Sequence, residues 1–145
     1  MIYWDTSVIL KLYVDEPDSG DWQELALGQR GPLRSSALMQ AEMGHALKQK
    51  ELRGEVAKGA ADELYKLLCE DLQAGRFLLF PVGRDVLEAS ARRALEGGHL
   101  RTLDGLHLAT AEIAKCTRIA TTDKRLAAAA IYNGMELIDG SADAQ

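Results

Sequence analysis

Short apolar runs alternate with longer amphipathic patterns along the chain, and this alternation limits the possible folds more than any other feature. The apolar runs predict strands at Ile2–Trp4, Pro32–Ser35, Phe77–Phe80, Arg118–Thr121 and, at an edge, Met135–Ile138. Between them apolar residues recur at helical spacing, as in a long helix from Val56 to Leu72 and in helices over 84–96, 103–115 and 123–133. Strands that alternate with helices pair in parallel and are covered on both faces. The sequence therefore predicts an α/β domain.

The composition indicates one ordinary globular domain over residues 1–145. A chain of 145 residues with 47% hydrophobic side chains is long enough to bury a core, and it contains no repeat or linker. No apolar run approaches the roughly 18 residues that span a bilayer, and Asp5 near the start argues against a signal peptide. Cys69 and Cys116 lack metal-ligand spacing. We therefore expect a cytoplasmic protein with reduced thiols and no membrane association.

Four acidic residues occupy positions that favour a shared site. Asp5 and Asp123 each follow a predicted strand, and in parallel folds ligands gather beyond the carboxyl ends of the strands. Glu42 and Asp104 interrupt helical faces that are otherwise apolar. An acid on such a face is uncommon unless it is paired or holds a metal ion. The four carboxylates are the candidates for catalysis.

Each acid also has a simpler interpretation. Asp104 and Asp123 lie near predicted helix starts, where a carboxylate caps the backbone. Glu42 has Lys11 and Lys48 as possible partners, and Asp5 by itself suits a turn. These interpretations do not account for all four acids together.

A cluster of these carboxylates would need cations to persist. Two carboxylates 4 Å apart repel each other by roughly 4 kcal/mol at an effective dielectric constant of about 20, and a cluster relieves this by binding protons or cations. Oxygen ligands suit Mg²⁺ or Mn²⁺ better than zinc or copper. The net charge of −5 does not exclude a polyanionic partner, because without the four acids the chain has 17 basic and 18 acidic residues.

Four segments in order carry a resemblance to a known family. They are Asp5-Thr6-Ser7, Glu42 with Ala46-Leu47, Leu103 to Ala111 around Asp104, and Thr121 to Leu126 around Asp123. Together they resemble the acidic motifs of PIN-domain ribonucleases, most closely the VapC toxins of toxin–antitoxin pairs. One departure is Gly105, where we expect Ala and where glycine costs about 1 kcal/mol of helix propensity.

The resemblance implies a fold, an activity and partners. We expect a three-layer α/β/α sandwich with a central parallel sheet, and an endoribonuclease that depends on Mg²⁺ or Mn²⁺. The expected partners are an RNA substrate, a cognate antitoxin and a second copy in a homodimer. Asp5, Glu42, Asp104 and Asp123 match the family's catalytic acids, while Ser7 and Thr121 match its hydroxyl residues.

The expected roles follow from phosphodiester hydrolysis, in which negative charge grows on the attacking and leaving oxygens. Metal ions generate hydroxide from water and stabilise this charge. We assign Asp5, Asp104 and Asp123 as metal ligands, and Glu42 as a further ligand or as a base that orients water. Ser7 and Thr121 would hold waters or carboxylates around the ligands.

Two other functions compete with this interpretation. A PIN-type RNA-processing nuclease without an antitoxin would keep the same fold and the same acids. A phosphoacceptor receiver module also clusters acids at strand ends, but it needs adjacent acids after the first strand and an Asp after a central strand. Here one acid follows the first strand, and the central Phe77–Phe80 strand runs into Pro81.

His107 lies three residues after Asp104, so both can face the same side of a helix. We interpret it as a packed histidine bonded to a nearby backbone or carboxylate group rather than as a ligand. Trp4 and Trp22 are predicted core aromatics, and Lys124 and Arg125 are solvated residues within reach of a substrate phosphate.

Overall fold

The computed structural model describes residues 1–97 and 100–140 of the chain. The predicted domain also includes residues 98, 99 and 141–145, which lie outside this description. In the described part, the strands are β1 (Ile2–Trp4), β2 (Leu33–Ser36), β3 (Phe77–Phe80), β4 (Arg118–Ala120) and β5 (Glu136–Ile138). The helices are α1 (Thr6–Tyr13), α2 (Ser19–Leu27), α3 (Leu38–Leu52), α4 (Ala60–Gln73), α5 (Arg84–Leu95), α6 (Thr102–Ile113) and α7 (Lys124–Tyr132).

The strands form one parallel sheet in the order β3-β2-β1-β4-β5. The chain first moves outward from β1 to β2 and β3, and then returns to the other side of β1 as β4 and β5. The strand order therefore reverses between β1 and β4, where Trp4 is in register with Ala120. Such a reversal opens a crevice beyond the carboxyl ends of the two strands.

Helices cover both faces of the sheet, as the alternation of side chains along β1 shows. Ile2 and Trp4 point into a core that they share with helices α1 to α4. Tyr3 points the other way, into a core that it shares with α6 and α7. Trp4 and Trp22 meet edge to face with ring centroids 6.5 Å apart, as expected for core aromatics. The predicted three-layer α/β/α sandwich is confirmed.

Some predicted elements differ from the structure in their bounds or in their place in the sheet. Phe77–Phe80 is an edge strand rather than a central one, and β2 begins at Leu33 instead of Pro32. The predicted long helix from Val56 begins only at Ala60, because Gly59 precedes it with a φ of 88° that a continuous helix cannot contain. Val56 instead packs against the core from the connection before α4.

Two further expectations concern the thiols and the membrane. Cys69 is half-buried and Cys116 is buried, and both are free. None of the helices in residues 1–97 and 100–140 has the length and apolar character needed to cross a membrane.

Candidate active site

The switch point between β1 and β4 places Asp5 at the centre of the site. Asp5 follows β1 directly, and its backbone N–H donates to Ala120 O at the end of β4 (3.0 Å). Asp5 occupies the N-cap position of α1, but its side chain does not cap the helix. The carboxylate is instead directed into the crevice and is only 5% exposed. Strand pairing thus fixes this acid where ligands are expected in the fold.

Two hydroxyl groups hold the Asp5 carboxylate. Ser7 Oγ and Thr121 Oγ1 both donate to Asp5 Oδ2, at 2.7 and 2.8 Å. Ser7 Oγ also accepts the backbone N–H of Thr122 (3.1 Å), and Thr121 Oγ1 accepts that of Asp123 (3.0 Å). The two hydroxyls therefore connect the first acid to the loop that carries the last one. Their expected role around metal ligands stays a prediction.

Asp123 combines a structural task with its place in the site. Its Oδ1 accepts the backbone N–H groups of Arg125 (2.9 Å) and Leu126 (3.0 Å), so Asp123 caps α7. The capping interpretation is correct for this residue. Because these bonds use one oxygen, capping leaves the other oxygen of the carboxylate available to a ligand.

Asp104 lies in the first turn of α6 without capping it. The N-cap position belongs to Arg101, and the side-chain cap that we considered for Asp104 is absent among the described contacts. Asp104 Oδ2 is buried and has no hydrogen-bond partner among residues 1–97 and 100–140. Burial, and then the negative charges of Asp123 and Asp5, raise the pKa of the Asp104 carboxyl. Asp104 therefore lies close enough to Asp123 and Asp5 for their charges to act on it.

Glu42 reaches the site from α3 and is paired with residues other than those we considered. Its Oε1 accepts Thr6 Oγ1 (2.9 Å) and lies 2.5 Å from His107 Nε2. Lys11 pairs instead with Glu16 and Asp18. The lysine interpretation of Glu42 is wrong for Lys48 too, which pairs with Glu51.

His107 forms the buried side of the site. It is 2% exposed, and its Nδ1 lies 2.6 Å from the Tyr3 hydroxyl. Burial by itself lowers the pKa of His107, but the hydrogen bond to Glu42 and the charge of Asp5 outweigh it, so the pKa is raised. Burial likewise raises the pKa of Glu42 by itself, yet the bond from His107 leaves it lowered. Both net directions follow from the close contact between His107 and Glu42.

The packed-histidine interpretation of His107 is confirmed, but sequence reasoning missed the other members of this network. Thr6 directly follows Asp5, so its place in the first motif was an available signal. Tyr3 gave no such signal, because it reads as one residue of a buried strand, and its partner lies 104 positions away.

Gly105, the departure from the expected motif, has a local cause. A Cβ at this position would lie 2.7 Å from Ser90 Oγ on α5. Glycine therefore permits the close packing of α5 against α6 beside Asp104.

The donor set fits a hard cation in chemistry. Asp5, Asp104 and Asp123 supply carboxylate oxygens, which Mg²⁺ and Mn²⁺ prefer. The buried Asp104 Oδ2 lacks a partner, and a cation would also relieve the repulsion that raises the pKa of this carboxyl. As the side chains stand, no three His, Cys, Asp or Glu residues of the described chain converge into a metal-coordinating group. A cation would therefore require the carboxylates to turn toward it.

Comparison with known proteins identifies the family of the chain. The sequence profile of the PIN domain matches residues 2–132. No curated protein sequence shows significant similarity to the chain. The PIN match excludes the receiver alternative, because it spans all four motif segments, from Asp5 to the segment around Asp123.

Solved structures share the fold at low sequence identity. A toxin–antitoxin complex from Klebsiella pneumoniae superposes with a TM-score of 0.69 at 15% identity, covering 97% of this chain and 98% of that one. The VapC20 toxin of Mycobacterium tuberculosis, described as cleaving the sarcin–ricin loop, gives 0.66 at 15% identity over 89% and 95% of the two chains. VapBC2 from Rickettsia felis, bound to a DNA fragment of its promoter, gives 0.62 at 16% identity over 95% and 98%.

At these identities the structural matches establish the fold. The profile match, which spans most of the chain, establishes more than the fold. This chain is a member of the PIN domain family.

Proposed function

We propose that this protein is an endoribonuclease that depends on Mg²⁺ or Mn²⁺ and acts as the toxin of a toxin–antitoxin pair. The observation that carries the proposal is the state of Asp104, whose buried Oδ2 has no partner and whose pKa is raised by burial and by Asp123 and Asp5. A buried carboxylate oxygen beside two other negative charges is suited to bind a cation. The PIN domain match and the toxin structures among the similar folds support the same conclusion.

Asp5, Asp104 and Asp123 are the residues that would hold the metal ion. When bound, such an ion supplies hydroxide from water and stabilises charge on the phosphodiester oxygens. Ser7 and Thr121 hold the Asp5 carboxylate by its Oδ2 atom, and its Oδ1 atom lies 3.7 Å from His107 Nε2. The chain thereby contributes oriented carboxylates at a single crevice.

Glu42 differs from the other three acids, because its carboxylate is bonded to an imidazole, that of His107. A carboxylate that two donors hold in place is suited to orient a water molecule by accepting a hydrogen bond from it. We assign this role to Glu42 in preference to direct metal binding.

The partners follow from the same resemblance. The similar structures include toxins in complex with antitoxins and one complex on promoter DNA. We propose a cognate antitoxin, an RNA substrate and a homodimer for this chain. We also propose that it acts in the cytoplasm, where the free thiols of Cys69 and Cys116 would stay reduced.

RNA cleavage by the purified protein tests the proposal. Total RNA is incubated with the wild type and with Mg²⁺, Mn²⁺ or EDTA, and fragment ends are mapped. Asp104→Asn should abolish cutting, whereas Asp62→Asn, the same change at an exposed acid of α4, should leave it intact. Thermal unfolding confirms that each variant is folded.

Mn²⁺ binding by calorimetry provides a second readout. The wild type should bind the ion, and Asp104→Asn should bind it at least about tenfold more weakly, as expected when a ligand is lost. Discrete metal-dependent fragments together with this loss would support the proposal. A folded wild type that cuts no RNA with either metal, and that mass spectrometry shows to be free of antitoxin, would contradict it.

A further inference from the structure

Four elements of the fold each contribute one side chain to a polar cluster. Tyr3 comes from β1, Thr6 from α1, Glu42 from α3 and His107 from α6. The chain of contacts runs from the Tyr3 hydroxyl to His107 Nδ1 (2.6 Å) and from His107 Nε2 to Glu42 Oε1 (2.5 Å). Both ring nitrogens of the histidine are therefore engaged, and the ring has a single orientation.

The direction of the second contact is fixed by chemistry. An ionised carboxylate only accepts hydrogen bonds, so His107 Nε2–H donates to Glu42. Thr6 Oγ1 donates to the same oxygen, Oε1. Within the described chain both donors thus bind the same oxygen of Glu42, Oε1.

The pattern of burial separates this arrangement from ordinary core packing. Tyr3 is 0% and His107 2% exposed, whereas the Glu42 side chain is 25% exposed. The buried pair therefore supports a side chain that extends into the open site. His107 Nε2 also lies 3.7 Å from Asp5 Oδ1, so the imidazole stands between two of the four acids.

A free glutamate side chain loses rotamer entropy when it is fixed in one conformation. If Glu42 is already held in place before substrate binds, this entropy is not lost during the reaction step, and the rate increases accordingly.

We propose that His107 is a positioning residue, oriented by Tyr3, that holds the Glu42 carboxylate in place for catalysis. This inference rests on the proposed nuclease function for its kinetic consequence. The contact itself is independent of that function and is tested separately.

Nuclear magnetic resonance of the metal-free protein, labelled with ¹⁵N at histidine, tests the contact. In the wild type the His107 Nε2 proton should exchange slowly with water, and Glu42→Gln should shift the Nε2 resonance. His45, exposed on the same helix as Glu42, is the internal control whose resonances should not move. His107 resonances that stay unchanged in Glu42→Gln would overturn the proposal whether or not the protein cuts RNA.

Cleavage kinetics test the consequence for the reaction. His107→Leu should lower kcat by about 10- to 100-fold, the usual effect of removing a group that orients an active-site residue, with KM for RNA nearly unchanged. His107→Gln keeps an N–H donor and should recover part of kcat. His45→Gln should match the wild type.

The double variant His107→Leu/Glu42→Gln separates positioning from packing. If His107 acts through Glu42, the double variant should be no slower than Glu42→Gln alone. Independent losses that multiply, or equal losses in His107→Leu and His107→Gln, would overturn the proposal. If His107→Leu does not fold, His107→Gln and Tyr3→Phe are used in its place, and Tyr3→Phe should also lower kcat.

Discussion

Removing the Tyr3 hydroxyl should destabilise the protein, because His107 Nδ1 then loses its hydrogen-bond partner. Tyr3 and His107 are 0% and 2% exposed, so water cannot replace the contact between Tyr3 Oη and His107 Nδ1 (2.6 Å). Tyr3→Phe keeps the ring and its packing but leaves Nδ1 without a partner. A buried polar group in this condition costs about 1–3 kcal/mol.

The assay is equilibrium unfolding in urea at pH 7, supported by the melting temperature. Each kcal/mol should lower Tm by about 2–4 °C in a domain of this size. Tyr13→Phe is the matched control, because its hydroxyl also donates to one partner, Asp71 Oδ2 (2.5 Å). The Asp71 side chain is 26% exposed, so water can replace the lost bond, and the cost should stay below about 1.5 kcal/mol.

The same Tyr3→Phe change in a His107→Leu variant tests whether the cost comes from the histidine. In His107→Leu the nitrogen that needed a partner is gone, so Tyr3→Phe should then cost close to nothing or even stabilise. An equal cost of Tyr3→Phe in both backgrounds would refute the argument, since the loss would then come from the tyrosine alone.

Three further predictions use residues outside this contact. Gly105→Ala should gain little stability, although alanine has about 1 kcal/mol better helix propensity, because the new Cβ would lie 2.7 Å from Ser90 Oγ. In the double variant with Ser90→Ala this clash is removed, and Tm should rise. A full gain of stability in Gly105→Ala alone would contradict this explanation. Leu68→Ala, at 0% exposure, should cost about 2–5 kcal/mol in urea unfolding, and a cost below 1 would be inconsistent with its core position. The hydrogen bond from Lys50 outweighs partial burial and lowers the pKa of Glu16 from 4.5. The stabilisation from this ion pair is therefore complete above pH 4.5 and is lost as the pH falls through the lowered pKa. Glu16→Gln should reduce the loss of stability at acid pH, and an unchanged acid dependence would exclude the pair as its cause.

The layers of the fold could be predicted from sequence because they depend on local periodicity. The apolar runs and helical patterns gave five strands and the helices between them, with errors at β2, at the start of α4 and in the place of Phe77–Phe80. The edge position of that strand was beyond reach, because strand order depends on which partners pair across the sheet. Gly59 ended the predicted helix through its backbone conformation, which glycine permits but does not signal.

Some features of the candidate site could also be predicted from sequence, and others depend on the tertiary structure. By itself the sequence identified the four acids, the hydroxyls of Ser7 and Thr121 and the family motifs, because the type of each residue and its place at a strand end or on a helix face are local properties. Only the tertiary structure decided that Asp123 caps α7 while Asp104 keeps a buried oxygen without a partner. The tertiary structure also joined Tyr3 to His107 across 104 residues. Such contacts are not encoded in any segment, because they form where the sheet brings β1, α3 and α6 to one crevice and where burial determines which polar groups need each other.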